Sequence, residues 1–130
     1  MAILTKAAIL DADDLVTETV DAPEWGGEVI VRTMTGGERD SFEEAISKAN
    51  KGGRMDLRGL KVKLVALTVI DEAGDRVFDD ADMLELNKKS SGVLDRIFQV
   101  AQRLNGLSGE DAKELVGNLD GDLPADSGSV

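Results

Sequence analysis

The sequence predicts a mainly α protein with a small β part: an N-terminal β-hairpin followed by four or five short helices, packed as one domain. Three observations carry this. Two runs rich in β-branched residues, Val16-Thr-Glu-Thr-Val20 and Glu28-Val-Ile-Val-Arg-Thr-Met34, flank a segment punctuated by Pro23 and Gly26-Gly27; that is the pattern of two antiparallel strands and their turn. From Thr35 onward the apolar residues recur every three or four positions, which places them on one side of successive helices. The chain has 130 residues, of which 42% are hydrophobic, enough for a single modest core.

The elements follow in order. Thr5 caps a short helix to about Leu10, and Asp11, Asp13 and Asp14 give a polar break. The hairpin occupies about 16–34, with a loop longer than the commonest two-residue type. Thr35-Gly-Gly-Glu38 has the Thr-x-x-Glu form of a capping box. It opens a helix to about Asn50, with Phe42, Ala45, Ile46 and Ala49 on the apolar side, ended by Gly52-Gly53. Asp56 caps a helix through about Ile70 whose apolar residues cover most of its circumference, so it belongs in the centre of the domain. A competing reading makes 64–70 a strand, 71–75 a turn and 76–78 a return strand. The Lys61 and Lys63 pattern extends upstream past strand length and favours helix. Asp79 or Asp80 caps a short helix to about Asn87. Ser91 caps an amphipathic helix to about Leu104, with Leu94, Ile97, Phe98, Ala101 and Leu104 facing inward, stopped by Asn105-Gly106. A last short helix is expected over 109–118. The domain thus spans 1–118, and the apolar-poor, turn-rich residues 119–130 read as a disordered acidic C-terminal tail.

Charge and absent residues narrow the function. The formal net charge is −11, from 26 carboxylates and 15 Lys and Arg residues. Such a balance repels phosphate backbones and argues against nucleic acid. No cysteine is present, so disulfide and thiolate chemistry are excluded. No histidine or tyrosine is present, which removes histidine triads, histidine zinc sites and most general bases that titrate near neutrality. No apolar run has membrane-spanning length, and the N-terminus lacks the pattern of a signal peptide. The expectation is a cytoplasmic protein that is not an enzyme, binds no cofactor and no metal, and contacts neither nucleic acid nor membrane.

The individual motifs support this. Asp11-Ala-Asp13-Asp14 opens like a calcium loop, but the sixth and twelfth places hold Val16 and Ala22 instead of glycine and glutamate. Gly36-Gly37 precedes a helix without the Lys-Ser/Thr of a phosphate-binding loop. Glu38, Asp40, Glu43 and Glu44 read as solvated helix-face charge. Lys48, Lys51, Arg54, Arg58, Lys61 and Lys63 form the basic stretch, explained first by its position around a helix C-terminus. Trp25, the single tryptophan, either folds back over the core or anchors a protein interface. The candidate partner-binding residues are Trp25, Phe42, Ile46 and Phe98, the last three bordering a groove between their two helices.

Four stretches stand out together: Val20-Asp-Ala-Pro-Glu-Trp-Gly-Gly27 with Val29-Ile-Val-Arg32; Met34-Thr-Gly-Gly-Glu-Arg-Asp40 leading to Phe42-Glu; Leu64-Val-Ala-Leu67 with Asp71-Glu-Ala-Gly-Asp75, Val77-Phe78 and Asp82; and Lys89-Ser-Ser-Gly92 with Leu94-Asp-Arg96 and Val100-Ala-Gln-Arg-Leu-Asn-Gly-Leu107. In these stretches the chain resembles the tail assembly chaperone family of long-tailed, non-contractile bacteriophages and prophages. The resemblance lies in their order and spacing and implies a role without an active site. It implies binding of the tape measure protein, which is kept soluble while the tail tube assembles, in the host cytoplasm and with no place in the mature virion. It further implies homo-oligomers, and contact with the tail tube protein through a longer, frameshifted form. The competing class is a virion structural protein of the tail or the head–tail connector.

Overall fold

The computed structural model describes residues 2–51, 54–55 and 59–107. The expected helix over 109–118 and the tail over 119–130 lie outside them, as does Asp56. Two strands, β1 (Thr17–Ala22) and β2 (Gly27–Arg32), pair antiparallel in the register Val20↔Val29 and Glu18↔Val31. Pro23–Trp25 between them forms a single 3-10 turn, closed by Gly26 at φ 85°. A left-handed φ there favours glycine, which has no Cβ to clash. The pleat turns Val20, Ala22 and Val31 inward, where they are buried, and leaves Thr17, Thr19 and Asp21 exposed on the other face.

The N-terminal helix α1 (Lys6–Asp11) is capped by Thr5, whose hydroxyl accepts the Ala8 N–H at 3.1 Å. Beyond the hairpin, α2 (Gly36–Ala49) opens on the capping box read from the sequence. Thr35 Oγ1 accepts the Glu38 N–H at 3.1 Å, and Glu38 Oε1 accepts the Thr35 N–H at 2.9 Å. Phe42 and Ile46, one turn apart, are the buried residues of this helix. Its end is followed by a minimal ribbon, β3 (Asn50–Lys51) against β4 (Arg54–Met55), absent from the sequence reading.

Residues 64–78 resolve in a way that combines both sequence readings. Helix α3 (Leu60–Thr68) ends two residues short of Ile70, and Val69–Ile70 becomes strand β5. This strand pairs antiparallel with the far side of β2, Ile30↔Ile70 and Val31↔Val69, so the hairpin is part of a three-stranded sheet in the order β1-β2-β5. The chain then turns and bridges back at Ile70↔Arg76. Asp71 organises that turn: its Oδ1 accepts the Ala73 and Asp75 N–H groups at 2.9 and 3.0 Å. The helix stops where β-branched Val69 and Ile70 meet an unpaired sheet edge, a better partner for them than another helical turn. At its start, Gly59 occupies the cap position at φ 86° with no side-chain hydrogen bond.

Asp79 caps the next segment with a second capping box to Asp82. The expected single helix is divided into a 3-10 turn, Asp80–Asp82, and α4 (Met83–Leu86). Helix α5 (Ser91–Leu104) has Ser90 rather than Ser91 at its cap position, and Ser90 makes no side-chain cap bond. Its first turn closes through the main chain, Leu94 N–H to Ser90 O at 3.0 Å.

The core lies where the sheet meets the helices. Residues 64–68 of α3 are all buried, together with Val62, and α3 packs against both α2 and α5. A helix apolar on nearly every side must be central. Its hydroxyl residue, Thr68, is fully buried and donates to Leu64 O at 2.8 Å, so that hydroxyl is not left unpaired. Val93, Leu94, Ile97 and Ala101 of α5 and Val31 of the central strand complete the centre. Each fully buried aliphatic side chain contributes about 1.5–3 kcal/mol of transfer free energy.

Candidate functional site

Helix α5 presents two chemically different sides. Seven residues are close to two helical turns, so Arg96 and Arg103 lie on the same side, and both reach the hairpin. Arg96 donates to both carboxylate oxygens of Glu24 at 3.0 and 2.8 Å and to the carbonyl of Asp21 at 3.0 Å. Arg103 donates to Glu18 Oε2 at 2.6 Å. The hydrogen bonds from Arg96 are the largest influence on Glu24 and hold its carboxyl down to about 2. The hydrogen bond from Arg103 likewise lowers the Glu18 carboxyl below the ordinary carboxylate range. The bidentate geometry at Glu24 fixes the orientation of both groups as well as their distance.

Two residues along from Arg96, Phe98 leaves α5 on the other side, toward α3. Lys61 pairs with Asp95 and stands over the Phe98 ring, its Nζ 5.7 Å from the centroid. Phe98 is half-buried and packs against the core edge.

At the hairpin's far end, Trp25 is also half-buried against the core. Its 3-10 turn is held in place by the Glu24–Arg96 pair. Beside it, Asp21, Pro23, Gly26, Gly27 and Glu28 line an open depression of about 480 Å³. Asp21 and Glu28 face each other across the two strands, a like-charged pair that costs stability in the isolated domain. Of the four residues singled out in the sequence, then, Trp25 and Phe98 reach the surface at separate places. Phe42 and Ile46 are buried, at 6% and 3% exposure, under α3.

A third junction ties the sheet to α2. Arg32 donates to Glu38 Oε1 and Oε2 at 2.7 and 2.8 Å and to Gly74 O at 3.3 Å. The same carboxylate that closes the capping box therefore also fastens β2, and the 71–75 turn hangs from the same guanidinium. Both partners are largely shielded, with side-chain exposures of 12% and 16%.

A further surface feature has no counterpart in the sequence reading. Every residue from 2 to 14 is exposed, so the apolar residues of the N-terminal arm touch no core. Leu84 on α4 is likewise 79% exposed. Hydrophobicity in the arm suggests burial; its exposure depends on what the rest of the body offers it. Among the described residues no group of three or more carboxylates is placed to hold a metal ion, and no helix is long and apolar enough to cross a membrane.

A three-stranded sheet beside a larger set of helices, with ion pairs stitching the two together, makes this a small, mainly α protein with a small β part. The chain belongs to the phage tail assembly chaperone family, whose model matches residues 4–115. Among solved structures it is similar to the tail assembly chaperone of bacteriophage HK97. That match has a TM-score of 0.55 and 22% identity, and it covers 76% of this chain and 89% of that one; at this identity the likeness concerns the fold. No curated protein matches it.

Proposed function

We propose that this chain binds a phage tape measure protein and keeps it soluble while the tail tube polymerises around it. The observation that carries this reading is the family match over nearly the whole described domain. The physical chemistry supports it. A tape measure protein exposes long apolar helical stripes before assembly, and surfaces of that kind aggregate. A body of net charge −11 keeps such a complex soluble. Half-buried Trp25 and Phe98, each rimmed by charged residues, are suited to anchor an apolar helix face. Several copies bound along one long client would gain avidity through effective concentration.

On this reading the protein acts in the host cytoplasm, leaves before the virion is complete, and performs no chemistry. A longer, frameshifted form would bring in tail tube subunits. The deciding experiment is co-expression with the tape measure protein of the same phage. The soluble fraction of the tape measure should rise with this chain present; equal insolubility with and without it refutes the proposal. Mass spectrometry of purified virions should find none of this chain.

A further inference from the structure

We propose that the outer edge of β1 takes up an extended segment of a partner protein as an added strand. That segment carries Lys or Arg at alternate positions, and one of these cations sits between Asp21 and Glu28. The contact is separate from the apolar helix face proposed for the client above, and it needs no helix in the partner.

The direction of the strand's free groups follows from its pairing with β2. Thr33 N–H donates to Val16 O at 2.9 Å, and Val16 N–H donates to Thr33 Oγ1 at 3.0 Å. Bonded and non-bonded pairs alternate along an antiparallel ladder. In the register Glu18↔Val31 and Val20↔Val29, the residues that bond β2 are therefore Glu18, Val20 and Ala22. The amides and carbonyls of Thr17, Thr19 and Asp21 point the other way. Arg96 marks that direction at one end, since it donates to Asp21 O from α5 at 3.0 Å. The three residues are exposed, and β1 stands first in the order β1-β2-β5. Among the described residues, the three N–H groups and the carbonyls of Thr17 and Thr19 have no hydrogen-bond partner. A strand unpaired on one side is a template for another, and extended peptides bind sheets in this way.

Charge selects the occupant. From Asp11 to Glu28 every ionisable residue is a carboxylate. Arg103 and Arg96 answer Glu18 and Glu24 on the α5 side. Asp21 and Glu28 face each other on the open side of the sheet, line the depression at the hairpin end, and make no ion pair among the described residues. Opposite charges on neighbouring strands stabilise a sheet and like charges destabilise it, so a cation on an added strand relieves a repulsion that the domain otherwise carries. A second copy of β1 would bring carboxylates to carboxylates and is disfavoured on the same ground. On its other face the added strand runs beside Val20 and the Glu18–Arg103 pair, where an uncharged residue fits. The pattern recognised is thus cation and apolar residue in alternation.

The test uses the full chain and a blocked peptide of alternating Lys and Val, with no tape measure protein present, so its outcome is independent of that reading. Calorimetry should show the peptide binding, and hydrogen exchange followed by NMR should show the Thr17 and Thr19 amides slowing about tenfold or more while Glu18 and Val20 stay as they were. The same peptide N-methylated at alternate amides keeps its charge and loses its strand edge, and it should bind at least tenfold more weakly. Asp21→Lys with Glu28→Lys, both at exposed positions, should weaken binding of the unmethylated peptide about tenfold. Thr19→Pro removes a free donor without breaking a bond to β2 and should do the same; if that variant does not fold, the methylated peptide carries the same information. Equal binding of the plain and methylated peptides would reduce the contact to charge alone and overturn the proposal. So would failure of the plain peptide to bind, or Thr17 and Thr19 amides already protected before it is added, which would mean that a second copy or another segment holds the edge.

Discussion

Replacing Glu38 should destabilise the protein more than removing the cap it belongs to, because its carboxylate serves two partners at once. Thr35→Ala removes the hydroxyl that accepts the Glu38 N–H, and an N-cap loss of this type costs about 1 kcal/mol. Glu38→Ala removes the reciprocal bond to the Thr35 N–H and also strands Arg32, whose side chain is 12% exposed. An exposed pair would be worth no more than about 1 kcal/mol and stranding one partner of a fully buried pair about 3–5. With both side chains mostly shielded, the cost of stranding falls near 2, for a total of about 3 kcal/mol. In a domain of this size each kilocalorie moves the melting midpoint by about 4 °C, so Glu38→Ala should melt about 12 °C below wild type and Thr35→Ala about 4 °C below. Thermal and urea unfolding followed by circular dichroism would measure both. Arg32→Met combined with Glu38→Gln should recover part of the loss, since no unpaired guanidinium remains. The reasoning is refuted if Glu38→Ala costs no more than Thr35→Ala, or if the double replacement is additive.

Further expectations follow from other sites. Leu64→Ala and Ile97→Ala, at positions with no exposed surface, should each cost about 3 kcal/mol in urea unfolding, a large share of a typical domain's stability. Gly59→Ala meets no atom within 4 Å of the added Cβ; it should still cost about 1 kcal/mol, because φ 86° strains any L side chain. Glu24, held down to about 2 from an ordinary 4.5, stabilises the folded state fully above pH 4.5 and loses that effect as pH falls toward 2. The melting-temperature difference between wild type and Glu24→Gln should accordingly be constant near neutrality and shrink below pH 4.5; a difference that persists at pH 2 would contradict the assigned pairing.

What could be read in the sequence was local chemistry. The Thr35–Glu38 box, the Pro23 and Gly26 turn and the amphipathic face of α5 all depend on residues a few positions apart, and each forms as expected. Residues 64–70 were ambiguous because a buried run shows neither helical nor strand periodicity; the choice was made by the open edge of β2, some forty residues earlier in the chain. The same limit governed the surface residues. Helical spacing turns both Phe42 and Phe98 inward, but where α3 lies relative to their helices is settled only by packing. The partners of Arg96 and Arg103 were invisible for a related reason, since Glu24 and Glu18 lie 72 and 85 residues away.

The order β1-β2-β5 has a consequence for how the molecule is made. The middle strand receives its second neighbour from residues 69–70, across Ile30↔Ile70. At translation speeds of about 5–20 residues per second, roughly 2 to 8 seconds pass between the emergence of one and of the other. Throughout that interval a nascent hairpin would show a row of free amides and carbonyls to the crowded interior of the cell. Crowded polysomes therefore put neighbouring copies at risk of pairing edge to edge until the end of α3 arrives and covers the Ile30–Val31 part of that edge.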